Sequence, residues 1–140
     1  GWGVEWVSWH ENQFIIAECQ YNLGLESEAL LTLNNTLDIL EQRWREYDSS
    51  CQLPRYVNIS GSDLLASIMN EKYKAMFLNM QTLSDWRRTG YPIFKDGGGA
   101  STECDGGTPR RLLYPELEKK TNSNVPAGDS IFDRVENDPS

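Results

Sequence analysis

Histidine is almost missing from this sequence, with His10 alone, and cysteine is scarce, at three residues. A single imidazole and no Cys-x-x-Cys pair leave no ligand set for a zinc centre. Long apolar runs are missing as well. The longest are short patches such as "FIIA", Phe14 to Ala17, far below the ~18 residues that a membrane-spanning helix requires. No basic segment followed by an apolar one opens the chain, and no cysteine stands there to carry a lipid. The chain is therefore expected either to be cytoplasmic or to have its targeting segment elsewhere. Basic residues are in deficit, 13 against 21 acidic ones for a net charge of −8. That balance excludes a general nucleic-acid binder, because phosphate contacts need a basic surface, and it favours neutral or cationic ligands. The glycine-rich "DGGGAST" lacks the preceding strand and the internal lysine that a phosphate-cradling loop needs.

What is present points to a folded helical chain. Hydrophobic residues make up 39% and aromatics 11%, with five tryptophans, and 140 residues fit one domain able to bury roughly two-thirds of its unfolded surface. "ENQFIIAECQYNLG" places Phe14, Ala17 and Tyr21 on one stripe, widened by Ile15, Ile16, Cys19 and Leu23, and Gly24 supplies a left-handed stop. "ESEALLTLNNTLDILEQRW" repeats Ala29, Leu33, Leu37, Leu40 and Trp44 at spacings of four, four, three and four, which predicts a second helix. The short join "NLGLES" forces an antiparallel hairpin, and Ala17, Tyr21, Gly24 and Ala29 follow the rhythm of a tetratricopeptide-type unit. One such unit cannot bury both faces, so it must lean on something else.

After the connector "REYDSSCQLPRYVNISGSD", Ser62 or Asp63 is expected to cap a third helix with Leu64, Leu65, Ile68, Ala75, Met76 and Met80 on its stripe, crossed by the stem of Lys72. A break near "LNMQTLS" and a final short helix containing Trp86 follow. The fold class is thus all-α: a tetratricopeptide-like hairpin plus further helices, with long irregular loops containing glycine and proline. Residues 1–95 form the helical part, and residues 96–140 are expected to be mostly loop and an extended tail. In that tail Leu112, Leu113, Tyr114, Ile131, Phe132 and Val135 would dock as isolated plugs.

Several residues admit a chemical reading beside a structural one. Cys19 reads as a buried thiol, whereas Cys51 and Cys104 lie in loop-like sequence and are open to pairing in an oxidising compartment. Asp96, Glu103 and Asp105 flank the glycine-rich loop but lack the spacing of a calcium-binding hand, and read as solvated turns. Asn34 and Asn58 open glycosylation-type tripeptides of a kind that is common by chance. His10 has no evident serine or cysteine partner, and Glu18, Glu28, Glu41 and Glu71 read mostly as polar helix faces, so no catalytic constellation emerges and no enzyme is expected. Trp2, Trp6 and Trp9, four and three residues apart, would share one helical face. Such a row is a sugar platform, a core element or an interface. In "DWRRTGYP", Arg87 and Arg88 suit a helix end, Gly90 a turn and Pro92 a stop, with Trp86 in the core. The alternative is that Trp86 or Tyr91 stacks on a sugar while an arginine holds its hydroxyls.

The blocks "ENQFIIAECQYNLG", "EKYKAMFLNMQTLSDWRRTGYP" and "PRRLLYPELEKKTNSNVPAG", in that order, resemble the C-terminal part of the SusD/RagB family of outer-membrane nutrient-binding lipoproteins, over Trp9 to Val135. The resemblance implies an all-helical protein at the cell surface of Bacteroidota, lipid-anchored in its full-length form. Such proteins capture oligosaccharides or other nutrients and pass them to a TonB-dependent, SusC-like transporter, with no cofactor. It also implies that this chain is the C-terminal portion of a longer protein. Trp86, Arg87, Arg88, Gly90, Pro92, Arg110, Arg111, Tyr114 and Pro115 carry the family signature and are expected to be structural. Trp2, Trp6, Trp9, Trp86 and Tyr91 remain the ligand-binding candidates, and the alternative function is a helical-hairpin module that binds other proteins.

Overall fold

The computed structural model describes residues 7–94, 113–126, 128 and 130, and it divides into two compact units, Gly1–Leu83 and Ser84–Ser140. In the first unit, helix α1 spans Trp9–Asn22, α2 spans Glu26–Arg45 and α3 spans Gly61–Ala75. α1 packs against both of the others. It starts on a reciprocal cap: Ser8 Oγ accepts from the Glu11 amide at 3.2 Å, and a Glu11 carboxylate oxygen accepts from the Ser8 amide at 3.4 Å. Because Ser8 is extended, the helical face expected for Trp2, Trp6 and Trp9 is interrupted there. Trp9 is the first helical residue, and Trp2 and Trp6 lie outside the described residues.

The α1–α2 turn forms as the glycine foretells. Gly24 sits at φ +77°, its amide donates to the Tyr21 carbonyl at 2.9 Å, and the Leu25 amide donates to the Gln20 carbonyl at 2.9 Å. This double bond is the Schellman arrangement that satisfies the last carbonyls of a helix. Ala17 and Ala29, wholly buried, let the two helices approach, and Phe14, Leu33, Leu37 and Leu40 fill the core around them. α2 has no side-chain cap; Glu26 and Glu28 instead put negative charge in its first turn.

Five side chains fall on the opposite side of the surface from the one their sequence pattern suggests: Cys19, Glu18, Glu71, Lys72 and Trp44. Cys19 is exposed, because the buried stripe of α1 runs Phe14, Ala17, Glu18 and leaves Ile15, Ile16, Cys19 and Leu23 facing outward. Glu18 and Glu71, expected on polar faces, are buried, as is the whole of Lys72 rather than its stem alone. Glu18 and Lys72 each have a polar or charged partner, as buried charge requires. Trp44 continues the repeat of α2 in sequence but stands 56% exposed in its last turn, where the start of α1 and the end of α3 leave a cavity rather than close packing.

α3 begins at Gly61 after Ser60, two residues before the expected cap, and neither Ser62 nor Asp63 caps it. The Glu26 carboxylate performs that task from α2, with both oxygens 3.2 Å from the Gly61 amide. The connector is equally pinned. The Leu53 amide donates to Glu41 at 2.9 Å, the Asn34 amide group exchanges two hydrogen bonds with the Tyr56 main chain at 2.8 and 3.0 Å, and the Tyr56 hydroxyl donates to Glu71 at 2.8 Å. α3 ends with Met76 buried and Met80 exposed, and the expected break spans Met76 to Met80 with Leu78 at φ +68°.

α4 spans Gln81–Thr89 and contains Trp86, as expected. In the second unit a further helix, α5, spans Glu116–Thr121 within the tail read as extended. Pro115 presets its entry, and acidic Glu116 and Glu118 followed by Lys119 and Lys120 match the helix dipole at both ends. Leu113 and Tyr114 are exposed rather than docked as plugs, while Leu112, Ile131, Phe132 and Val135 lie outside the described residues. Among the described residues no helix is long and apolar enough to cross a membrane.

Candidate functional site

The "DWRRTGYP" block is built around its helix end. Trp86 is only 9% exposed and meets the Phe94 ring at 5.8 Å between centroids. Arg88 pairs with Asp85 at 3.0 Å, and the Gly90 amide, at φ +75°, closes on the Trp86 carbonyl at 2.8 Å. The Thr89 hydroxyl donates to the Asp85 carbonyl at 2.8 Å and accepts from the amide of half-buried Tyr91 at 3.2 Å. Arg87 is half-buried and partnered, and Pro92 follows in the chain. Of the other candidates, Trp9 is exposed at the start of α1, Tyr114 is exposed, and Pro115 caps α5. Trp2, Trp6, Arg110 and Arg111, together with Cys104, Asp96, Glu103 and Asp105, lie outside the described residues. None of the described candidates lines the concavity considered next.

That concavity lies in the first unit, where the end of α2 rises beside the start of α1 and the end of α3. A cavity of about 310 Å³ is lined by His10 of α1, by Leu40, Arg43, Trp44 and Tyr47 on and just after α2, and by Ala75 of α3. A second cavity of about 180 Å³ shares Leu40, Trp44 and Ala75, and adds Leu53 and the Glu71–Lys74 ion pair, 2.6 Å apart. Trp44 is thus common to both. Its indole and the Tyr47 ring, 82% exposed, stand 6.3 Å apart and tilted by 58°, held by the helix end in which the Tyr47 amide donates to the Trp44 carbonyl at 3.0 Å. The result is an apolar floor, two solvent-facing aromatic walls and a few polar tips, the general make-up of a small-ligand site.

The electrostatics separate the basic groups near this floor. Arg45 is bound to Glu41 at 2.7 Å and to the Cys51 carbonyl at 2.9 Å, and Arg55 is bound to Asp38 and Glu41. The Leu53 amide first, and then Arg45 and Arg55, hold the Glu41 carboxyl below its ordinary range. Arg43, in contrast, has no carboxylate within ion-pair distance among the described residues, and it faces the larger cavity. On the far side, burial and then the hydrogen bond to Glu71 push the Tyr56 phenol above its usual range, so it stays a neutral donor. His10 does have a serine neighbour, contrary to expectation: Ser8 Oγ lies 3.1 Å from its Nε2. That hydroxyl already serves as the cap acceptor of α1. Among the described residues no group of three or more His, Cys, Asp or Glu side chains is placed to hold a metal ion.

Sequence reading missed Trp44 and Tyr47 because the former falls on the apolar repeat of its helix. The signal that marks them is "RWREY": an indole in the last helical turn, flanked by arginines and followed three residues later by a second ring. Comparison with known proteins finds no matching curated protein and no matching solved structure. A family model described as starch-binding associating with outer membrane matches residues 5–115, which include α1 to α4 and every residue named for the two cavities. By that match, and in keeping with its all-helical fold, the chain belongs to the SusD-like family.

Proposed function

We propose that this chain binds a glycan in the groove flanking Trp44, at the outer membrane, as the capture component of a nutrient-uptake system. The single observation that carries this reading is the pair of exposed rings, Trp44 and Tyr47, standing over a cavity of about 310 Å³. A sugar presents an apolar face of C–H groups to an indole and a rim of hydroxyls to polar tips, and Arg43 and His10 supply such tips. The family description, starch-binding and associated with the outer membrane, supports both the ligand class and the location. Delivery to a TonB-dependent transporter and anchorage by a lipid belong to the same reading and rest on the family resemblance alone. Trp86, Arg87, Arg88, Gly90 and Pro92 serve in it as scaffold, and the row of Trp2, Trp6 and Trp9, like Tyr91, takes a secondary place as ligand contacts.

Titration calorimetry with a panel of oligosaccharides, run on the parent, Trp44→Ala and Trp86→Ala, tests the reading. Trp44→Ala should weaken binding at least tenfold, about 1.4 kcal/mol, and melt close to the parent because the indole is largely solvent-facing. Trp86→Ala should lower the melting temperature instead, since truncating a buried aromatic costs ~3–5 kcal/mol. A Trp44→Ala protein that binds sugar as tightly as the parent would remove the groove from consideration. The alternative reading, a hairpin that binds other proteins, draws on the outward row of Ile15, Ile16 and Leu23.

A further inference from the structure

The two cavities that share Trp44 differ in the charge they offer. The smaller one holds a matched pair, Glu71 with Lys74 at 2.6 Å, and is neutral as a whole. The larger one is lined by one permanent cation, Arg43, and by His10, with no acidic side chain among its described lining residues. The neighbouring arginines cannot be what is waiting for a ligand: Arg45 and Arg55 are consumed by Glu41 and Asp38, which hold the connector in place. Arg43 has neither an ion pair nor a hydrogen bond to any described residue, and it stands one position before the exposed indole and four before the exposed phenol. A guanidinium free to turn beside an aromatic face is suited to an oxyanion carried on a ring, because its parallel N–H groups match the two oxygens of a carboxylate while the ring stacks alongside.

Resting on the glycan reading above, we infer that the groove selects an acidic glycan: a sugar unit bearing an oxyanion, such as a uronic acid, lies against Arg43 and Trp44, with a neutral unit in the adjoining cavity beside Glu71 and Lys74. The chain's net charge of −8 opposes the approach of any anion, so a local preference for one has to come from the geometry at Arg43 rather than from the overall field. This makes the inference separable from general electrostatics. The opposing charge should also make capture of the anion faster as salt screens the long-range repulsion, whereas the close guanidinium contact, shorter than a Debye length of about 10 Å at 0.1 M, persists.

The test uses three short oligosaccharides of equal length: an oligogalacturonate, its methyl ester, which has the same skeleton without the charge, and a sulfated neutral oligosaccharide. Calorimetric titration of the parent should show the acid bound at least tenfold more tightly than the ester. Arg43→Gln should bring that ratio close to one, Arg43→Lys should leave an intermediate ratio because it keeps the charge and loses the fork, and Trp44→Ala should weaken acid and ester alike. An Arg43-dependent preference for the sulfated sugar over the uronate would support the oxyanion site and identify its anion as a sulfate ester. Equal affinity of the parent for acid and ester would overturn the inference while leaving the groove reading intact. Binding of acid and ester that is indifferent to Trp44→Ala would overturn the groove reading and the inference with it.

Discussion

Asn34 stands in a tripeptide that reads as a glycosylation sequon, yet its side chain is committed inward. Its amide nitrogen donates to the Tyr56 carbonyl and its oxygen accepts from the Tyr56 amide, so it pairs with a main-chain unit as a neighbouring strand would. Asn34→Ala should cost about 2 kcal/mol, since each hydrogen bond is worth ~1 kcal/mol and two part-buried main-chain groups lose their partners together. Denaturant unfolding measures this, and Asn34→Asp should recover part of the loss by keeping the acceptor; an alanine variant as stable as the parent would contradict the pairing. Nothing in the tripeptide announces such a partner, because Tyr56 lies in a distant segment. Cys19 and Trp44 teach the complementary point. Both lie on apolar repeats, and the repeat gives the period of a helix but not how far its cover extends. One is therefore exposed in the last turn of α1 and the other in the last turn of α2.

At the scale of elements, α2 acts as a rail for the segment that follows it. Glu26, Asn34 and Glu41, separated by eight and seven residues, recur on one polar face, and each takes a main-chain amide: Gly61, Tyr56 and Leu53 respectively. The chain thus runs back along α2 in the reverse order of these anchors and enters α3 capped by a carboxylate from outside the helix. The hairpin itself was legible, because its caps and its glycine turn are local. The rail was not, since every anchor joins residues far apart in sequence. Glu41 also sets a pH dependence. Its folded-state pKa is lowered, chiefly by the Leu53 amide and then by Arg45 and Arg55. The stability it contributes is complete above the ordinary carboxylate pKa of about 4.3 and fades as pH falls through the lower folded value. Glu41→Gln should accordingly melt below the parent at neutral pH, and the two melting temperatures should converge as pH is taken below about 4. Parallel curves down to pH ~3 would show that Glu41 titrates normally in the fold.

For the molecule as a whole, composition argued against a spanning helix and a basic nucleic-acid-binding surface, and periodicity gave the all-helical class. What it could not give was the outer face of the hairpin, because a helix with apolar residues on more than one side reads the same whether or not both sides are covered. In the unit Gly1–Leu83, Ile15, Ile16, Leu23 and Leu25 are exposed along and just beyond α1, and Leu31 and Ile39 are exposed on α2. A net charge of −8 sets mutual repulsion between copies against this apolar attraction, and salt weakens only the repulsion. The chain should therefore bind a hydrophobic dye, and its light scattering should rise as salt is raised from low ionic strength. Ile16 of α1 and Leu23, the residue that follows its last turn, stand seven residues apart and both are exposed. The pair Ile16→Glu and Leu23→Glu should lower both signals and leave the melting temperature near the parent's, as both side chains face water. Dye binding and scattering unchanged by the pair would place the exposed apolar surface elsewhere. Loss of cooperative melting would mean that these two side chains belong to the packed core after all.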